Sequence, residues 1–206
     1  MGSAASGHSL RLAAVHDDAD PAWKAFYPED LPEEWRLAYY GNYWKDLLIP
    51  AREWERFTLD SEWIRDLPDA LMRLYFEVPA KLAGPGDACA GLAASLGPRL
   101  GGILVTDSSV LPEGAVPPGL VLGRAPGPRA IQGVSACAAF ANEASFVLVL
   151  APEPGLGPPG WRALLEAVPA CLPAAREAII FLRAGPGELE TAETILRLTG
   201  LAWRGR

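Results

Sequence analysis

Eight short apolar runs, separated by helical segments and by Gly and Pro, constrain the fold of this chain more than any other feature. The runs are continuously apolar, which is typical of strands in a parallel sheet that is covered on both faces. Strands that alternate with helices predict an α/β protein. The predicted strands are Leu10–Val15, Asp46–Ala51, Leu71–Val78, Gly102–Thr106, Leu120–Leu122, Ile131–Val134, Phe146–Leu150 and Ala178–Leu182.

Helix signals lie between most of these runs. Caps, first-turn prolines and apolar periodicity give the starts and ends of the segments. The predicted helices run from Asp30 or Pro32 to about Gly41, from Ser61 to about Pro68, over Ala88–Leu96, from the end of the sixth strand to about Ala144, over Gly160–Cys171 and over Glu188–Leu198. The crossovers after the fourth and fifth strands are too short for full helices.

Eight strands in this order predict a compact, irregular (β/α)8 TIM-like barrel in which some helices are shortened or lost. An open, doubly wound sheet is the alternative. Residues 1–9 are small and polar, so we expect a flexible leader or a cloning remnant there. Residues 10–206 are expected to form one domain.

The net charge of −7 and the sequence pI of about 4.9 argue against binding to nucleic acid or to anionic membranes. The three cysteines, Cys89, Cys137 and Cys171, are widely spaced and form no C-x-x-C motif, which argues against disulfides and a zinc ribbon. We expect them to be core thiols in a reducing cytoplasm. No apolar run reaches the roughly 18 residues of a membrane span.

The stretch Phe26–Phe57 is dense in aromatic and charged residues, and it carries a family resemblance. FYPEDLP at Phe26–Pro32 is followed by Trp35, Tyr39 and Tyr40, and Lys81 stands just after the third predicted strand. These residues resemble the YecE-like family, a group of bacterial barrel proteins classed as a domain of unknown function. The resemblance covers roughly the first 80 residues and implies a barrel fold, with no settled activity to transfer.

The chain departs from the pattern of that family at two strand ends. Where the family has an acidic strand motif with Asn and a Thr-Phe-Tyr run, this chain has LLIPAREWERF, which keeps only the carboxylate of Glu53 and the aromatic ring of Trp54. Leu82-Ala83-Gly84 stands where the family has Thr-His. The resemblance therefore implies a diverged, shortened member.

In a parallel barrel, function gathers where strands end and βα loops begin. Acids and bases at those ends predict a site for a small polar metabolite. The alternative without a function is a solvated rim of mutually neutralising charges. We interpret Glu53 or Asp107 as a catalytic base and Lys81 as its electrostatic partner. The predicted ligand-binding residues are Asp17, Arg52, Arg124 and Arg183.

No cofactor or metal is predicted. His16-Asp17-Asp18 could supply metal ligands, but a turn-forming Asp pair is favoured. The Gly-rich loops at 153–160 and 185–187 could bind phosphate, but plain turns and helix caps are favoured. Cys137 as a nucleophile would need His16 as its base, and a core thiol is the favoured interpretation.

Aromatic side chains are enriched both in cores and at interfaces, so the aromatic cluster predicts a protein-binding surface. Its candidate residues are Trp23, Tyr27, Trp35, Tyr40 and Trp44. The preferred hypothesis is a degenerate, non-catalytic protein that acts through a protein partner or as a homodimer. The alternative is a small-molecule enzyme or binder at the barrel mouth, in which Glu53, Lys81 and Asp107 converge.

Overall fold

A computed structural model describes residues 10–58, 63–64, 67, 72–106, 111, 114, 116–127, 131–171 and 177–199. The strands of this described part close into a barrel in which each strand pairs with its neighbours in chain order. The α/β class is therefore confirmed, and the alternative of an open sheet is wrong. The strands are β1 (Leu10–Val15), β2 (Asp46–Ile49), β3 (Arg73–Glu77), β4 (Leu100–Val105), β5 (Val121–Ala125), β6 (Val134–Ala141), β7 (Ser145–Pro152) and β8 (Glu177–Leu182).

Helices cover part of the outside of the barrel. The described helices are α1 (Pro21–Phe26), α2 (Arg36–Tyr40), α3 (Trp54–Thr58), α4 (Pro85–Leu96), α5 (Pro158–Ala167) and α6 (Pro186–Leu198). The predicted α2, α4, α5 and α6 are confirmed with shifted ends, whereas the short helices α1 and α3 were not predicted. Most of the helix predicted from Ser61 lies outside the described residues. No helix in the described ranges is both long and apolar enough to cross a membrane.

Strand β6 makes the barrel mixed rather than parallel. It pairs antiparallel with both β5 and β7, whereas the other neighbouring pairs are parallel. The predicted helix after Val134 is therefore wrong, because this Ala-rich segment is β6 itself. The chain has only residues 142–144 between β6 and β7, and a parallel crossover needs a dozen residues or more. A reversed strand lets β5 and β7 run in the same direction across this short span.

Two apolar layers hold the barrel together. An inner core fills the barrel, and a larger outer core packs the strands against the helices. Successive side chains of a strand point to opposite faces, so each strand contributes alternately to the two layers. In β1, for example, Ala13 and Val15 belong to the inner core and Leu12 and Ala14 to the outer core. The inner core consists of Ala13, Val15, Leu48, Tyr75, Leu104, Leu122, Phe140, Val147, Val149, Ile179 and Phe181.

The largest polar side chain of the inner core, Tyr75, is accommodated by two glycines of β4. A Cβ atom on Gly101 would lie 2.4 Å from Tyr75 Cε2, and one on Gly102 would lie 2.5 Å from Leu122 Cδ1. Both distances are far below ordinary van der Waals contact. The Gly101-Gly102 pair therefore makes room for an aromatic ring inside a narrow barrel.

Candidate functional site

The barrel mouth, at the carboxyl ends of the parallel strands, carries a polar layer above the inner core. A residue two positions beyond an inner-core residue continues on the same face of the strand. Asp17, Glu77, Arg124 and Arg183 follow Val15, Tyr75, Leu122 and Phe181 in this way. Four charged side chains thus reach the mouth because of strand periodicity alone.

Arg52 joins this layer from the turn that follows β2. Its Nη2 atom lies 2.9 Å from Asp17 Oδ2 and donates a hydrogen bond of 3.4 Å to the carbonyl oxygen of His16. Asp17 Oδ1 also accepts a hydrogen bond from the backbone N–H of Ala19. The two oxygens of Asp17 are therefore held by its own turn and by Arg52, which fixes the carboxylate at the rim of the mouth.

Arg183 reaches the same region from the end of β8. Its Nη2 atom lies 3.6 Å from Glu77 Oε2, and that oxygen also accepts a hydrogen bond from the backbone N–H of Ala51 at 3.4 Å. The pair is longer than an ordinary charge-assisted hydrogen bond. Arg183 is therefore placed beside Glu77 without being tightly clamped by it.

Arg52 and Arg183 border one cavity of about 150 Å³. Acidic side chains stand on its β1–α1 side, and the indole of Trp23 and the side chain of Val15 form its apolar wall. Arg52 is 47% exposed and Arg183 37% exposed, so both guanidinium groups are accessible. The cavity is lined by Val15, Asp17, Asp20, Trp23, Arg52, Arg183 and Ala184.

A chain of ion pairs runs outward from Arg52 along the segment after β2. Glu53 lies 3.7 Å from both Arg52 and Arg56, and Arg56 also pairs with Asp18 and Glu33. Burial raises the pKa of the Asp18 carboxyl, but hydrogen bonds from His16 and Arg56 outweigh this effect and hold its pKa well below the usual range. Asp18 is therefore ionised and structurally engaged.

His16 is buried beneath this chain of ion pairs. Its Nε2 atom lies 3.2 Å from Asp18 Oδ1, and its ring meets Phe57 edge-on with centroids 5.1 Å apart. Its Nδ1 atom has no hydrogen-bond partner in the described part of the chain. His16 and Asp18 also border a second cavity of about 320 Å³, which lies between α2 and α3.

Among the described residues, no hydrogen bond or ion pair joins Glu53 to Lys81, two of the three predicted catalytic residues. Glu53 is paired with two arginines, Lys81 is exposed in the turn after β3, and Asp107 lies outside the described residues. Of the predicted ligand-binding residues, Asp17, Arg52 and Arg183 share the 150 Å³ cavity, whereas Arg124 stacks over Phe140 and is not among its lining residues.

Four of the five predicted interface aromatics are buried inside the protein, so their rings offer almost no surface to a partner. Trp23, Tyr27, Tyr40 and Trp44 belong to the apolar core, whereas Trp35 is 56% exposed. Two of these rings form hydrogen bonds with the backbone. The Trp23 indole donates to the carbonyl oxygen of Ala184, and the Tyr40 hydroxyl bonds to the backbones of β1 and β2. These rings seal α1 and α2 against the barrel.

The remaining features singled out in the sequence are the possible metal ligands, a Gly-rich loop and the cysteines. No cluster of three or more metal-ligating side chains occurs among the described residues. Gly185 caps α6, and Glu188 Oε2 accepts its backbone N–H, as the favoured capping interpretation predicts. Cys89 is buried, and burial raises its pKa to about 11, as expected for a core thiol. Cys137 lies half-buried in β6.

Sequence reasoning missed two residues at the mouth. Glu77 was included in a predicted strand but not in the site, although its position two residues after the inner-core residue Tyr75 places it at the mouth. Asp20 was overlooked because α1, which it caps, was not predicted. Its signal was present in the Asp-Pro pair, since Asp is a preferred N-cap and Pro a preferred first helical residue.

The geometry at the mouth thus consists of two accessible arginines and two acids around a small cavity, beside a chain of ion pairs. This arrangement suits the binding of a charged small molecule better than it suits covalent catalysis. In comparisons with known proteins, no family model, no curated protein and no solved structure matches this chain.

Proposed function

We propose that the protein binds a small carboxylate in the cavity at the barrel mouth. The observation that carries this proposal is the approach of Arg52, from the end of β2, and Arg183, from the end of β8, to the same 150 Å³ space. Guanidinium groups recognise carboxylates through paired N–H donors, and two of them in one cavity favour an anion.

Both arginines have donors to spare for a ligand. A guanidinium group carries five N–H donors. Arg52 uses its Nη2 atom for Asp17 and for the His16 carbonyl, and its Nε atom lies 3.7 Å from Glu53. Within the described ranges, the one acidic contact of Arg183 is with Glu77 at 3.6 Å. A carboxylate can therefore be held while the ion pair with Asp17 keeps Arg52 in position, which lowers the entropic cost of binding.

The size of the cavity limits the ligand. Pockets that hold drug-sized molecules measure about 300–1,000 Å³. The cavity at the mouth, at about 150 Å³, is smaller, and its wall includes the apolar atoms of Val15 and Trp23. A ligand of a few heavy atoms with a short apolar portion fits these limits.

NMR titration of the 15N-labelled protein with propionate tests this proposal. We expect saturable shifts of the backbone amides at 15–20, 51–53 and 183–185. Arg183→Gln should weaken the apparent affinity about tenfold, since a hydrogen bond to a charged group contributes about 1.5–3 kcal/mol before solvent screening. Absence of saturable shifts at millimolar propionate would overturn the proposal.

A matched control separates the site from general surface charge. Arg162→Gln removes a guanidinium from α5 that is 66% exposed, against 37% for Arg183, and that pairs with Glu166 at 2.7 Å. This variant should bind propionate as the unaltered protein does. Equal weakening in Arg162→Gln and Arg183→Gln would show that propionate only screens positive charge.

The family and the finer fold class remain proposals. We propose that this barrel is a (β/α)8 barrel of the YecE-like kind in which the sixth strand is reversed and some helices are shortened or lost. The FYPEDLP segment and the aromatics of α2 support the proposal, as does the in-order pairing of the strands. A solved structure of a YecE-like protein with a parallel sixth strand and an unrelated position for the FYPEDLP segment would contradict it.

A narrower form of the interaction hypothesis rests on two exposed rings. Trp35 is 56% exposed and Tyr43 is 52% exposed, both on the segment around α2. We propose that they contact a second copy of the chain. Sedimentation equilibrium of the unaltered protein and of Trp35→Ala tests this: a dimer weakened by the substitution supports it, and a monomer at all concentrations contradicts it.

A further inference from the structure

We infer that the ligand of the mouth cavity is zwitterionic, carrying an ammonium group beside its carboxylate, as in a small α-amino acid. This inference rests on the proposed function and adds the second charge of the ligand. It starts from the separation of charge across the cavity, where two acids, Asp17 and Asp20, come from the β1–α1 segment and two bases, Arg52 and Arg183, come from the ends of β2 and β8.

The cavity lining is electrically balanced before a ligand enters. Two carboxylates and two guanidinium groups line it, so a ligand with only a negative charge is attracted by the arginines but brings no positive charge to meet Asp17 and Asp20. Like-charge approach in a partly enclosed site is costly because solvent screens it less than on an open surface. A zwitterion leaves the net charge of the cavity unchanged, and it places a positive group beside the acids and a negative group beside the arginines.

Asp20 has an acceptor ready for an ammonium group. Its Oδ1 atom accepts the backbone N–H of Ala22 at 2.8 Å as the N-cap of α1, and its Oδ2 atom accepts no hydrogen bond from other described residues. The carboxylate is thus positioned by one oxygen and left open at the other. An ammonium group, with three N–H donors, can use that oxygen and an oxygen of Asp17 together.

The spacing of opposite charges also matches an α-amino acid. Asp17 Oδ2 and Arg52 Nη2 lie 2.9 Å apart, so the acidic and basic walls touch at this point. In an α-amino acid one carbon atom separates the ammonium group from the carboxylate. A ligand of this kind can lie against the Asp17–Arg52 pair with its charges reversed, and a short side chain then faces the apolar atoms of Val15 and Trp23.

Three probes of matched shape test the inference: L-alanine, propionate, which is alanine without its ammonium group, and ethylamine, which is alanine without its carboxylate. We expect NMR titration to give an affinity for alanine about tenfold higher than for propionate, and weaker binding still for ethylamine. The factor follows from one charge-assisted hydrogen bond that is partly exposed to solvent.

The variant Asp17→Asn should change the affinities for alanine and propionate in opposite directions. Asparagine keeps Oδ1 as the acceptor for the Ala19 N–H, so the turn is preserved. Loss of the negative charge should weaken alanine binding about three- to tenfold, and it should strengthen propionate binding because Arg52 is released from its partner. A thermal melt of Asp17→Asn verifies that the variant is folded.

The outcomes distinguish the inference from the proposed function. Equal affinities for alanine and propionate, or a change in the same direction for both in Asp17→Asn, would overturn the zwitterion and leave the carboxylate site standing. Tight binding of ethylamine with no binding of propionate would overturn both, since the arginines would then have no role. Absence of binding by all three probes also overturns both.

Discussion

The hydroxyl group of Tyr40 lies between strands β1 and β2, where it donates a hydrogen bond of 2.8 Å to the carbonyl oxygen of Asp46. The oxygen of the Tyr40 hydroxyl also accepts the backbone N–H of Ala14 at 3.2 Å. The pairing of the two strands begins at Ala14 and Leu47. The hydroxyl therefore bridges a donor and an acceptor of neighbouring strands at the point where their ladder starts.

Removing this hydroxyl should destabilise the barrel. We expect Tyr40→Phe to lower the free energy of unfolding by about 2–3 kcal/mol, because it leaves the buried groups of Ala14 and Asp46 without this partner. Tyr39→Phe is the matched control, since its hydroxyl bonds to Tyr43 at the surface and should change stability by less than about 0.5 kcal/mol. Urea denaturation measures both, and equal effects would contradict the bridging role.

Asp18 should make stability depend on pH in the acid range. Its pKa is held below the ordinary value of about 3.9 in the folded state, so its contribution is present above that value and is lost as the pH falls toward the folded-state pKa. We expect Asp18→Asn to cost about 2 kcal/mol at pH 7 and the difference to shrink below about pH 4. Asp30→Asn, at an exposed position, is the control in parallel urea titrations. A cost for Asp18→Asn that does not change with pH would contradict the ion-pair explanation.

Strand positions could be predicted from the sequence where burial produces continuous apolar runs, as in β7 and β8. Strand β6 could not, because Ala is a strong helix former and the segment VSACAAFA carries no strand signal of its own. Its state is decided by pairing on both edges and by the short connection to β7. Local propensity is overridden there by the closure of the barrel.

The candidate site, like the strands, could be predicted only in part. Asp17, Arg52 and Arg183 follow strand ends, and the carboxyl ends of parallel strands converge, so their proximity follows from topology. Their role in binding stays a prediction. The burial of Trp23 and Tyr40 could not be predicted, because a dense aromatic segment has the same composition in a core and at an interface.

Asn142 should be essential for the turn that reverses the chain between β6 and β7. Its Oδ1 atom accepts the backbone N–H groups of Ala144 and Ser145, and its Nδ2 atom donates to the carbonyl oxygens of Gly119 and Val121 near the start of β5. We expect Asn142→Ala to lower the free energy of unfolding by about 2 kcal/mol, since four backbone groups lose a partner and solvent restores part of the loss.

Hydrogen exchange can locate that effect as well as measure it. Amides of β6 should lose protection more than those of β1 in Asn142→Ala, because β6 depends on this hairpin for its direction. Asn42→Ala, at an exposed position, is the control and should leave both strands unchanged. Uniform loss of protection in β1 and β6 would show that Asn142 acts on global stability alone.

Two glycines of this chain should respond to alanine with opposite signs. A methyl group on Gly102 would lie 2.5 Å from Leu122 Cδ1 and 3.1 Å from Tyr75 Cδ1 in the inner core, so Gly102→Ala should destabilise the protein by about 1–3 kcal/mol. Gly91 lies on the exposed side of α4 with no atom within 4 Å of the added methyl group, so Gly91→Ala should stabilise it by about 0.5–1 kcal/mol. Paired urea denaturation curves decide the matter. If both substitutions stabilise the protein, the inner core has room for a methyl group on Gly102, which would contradict the tight packing of Tyr75 against β4.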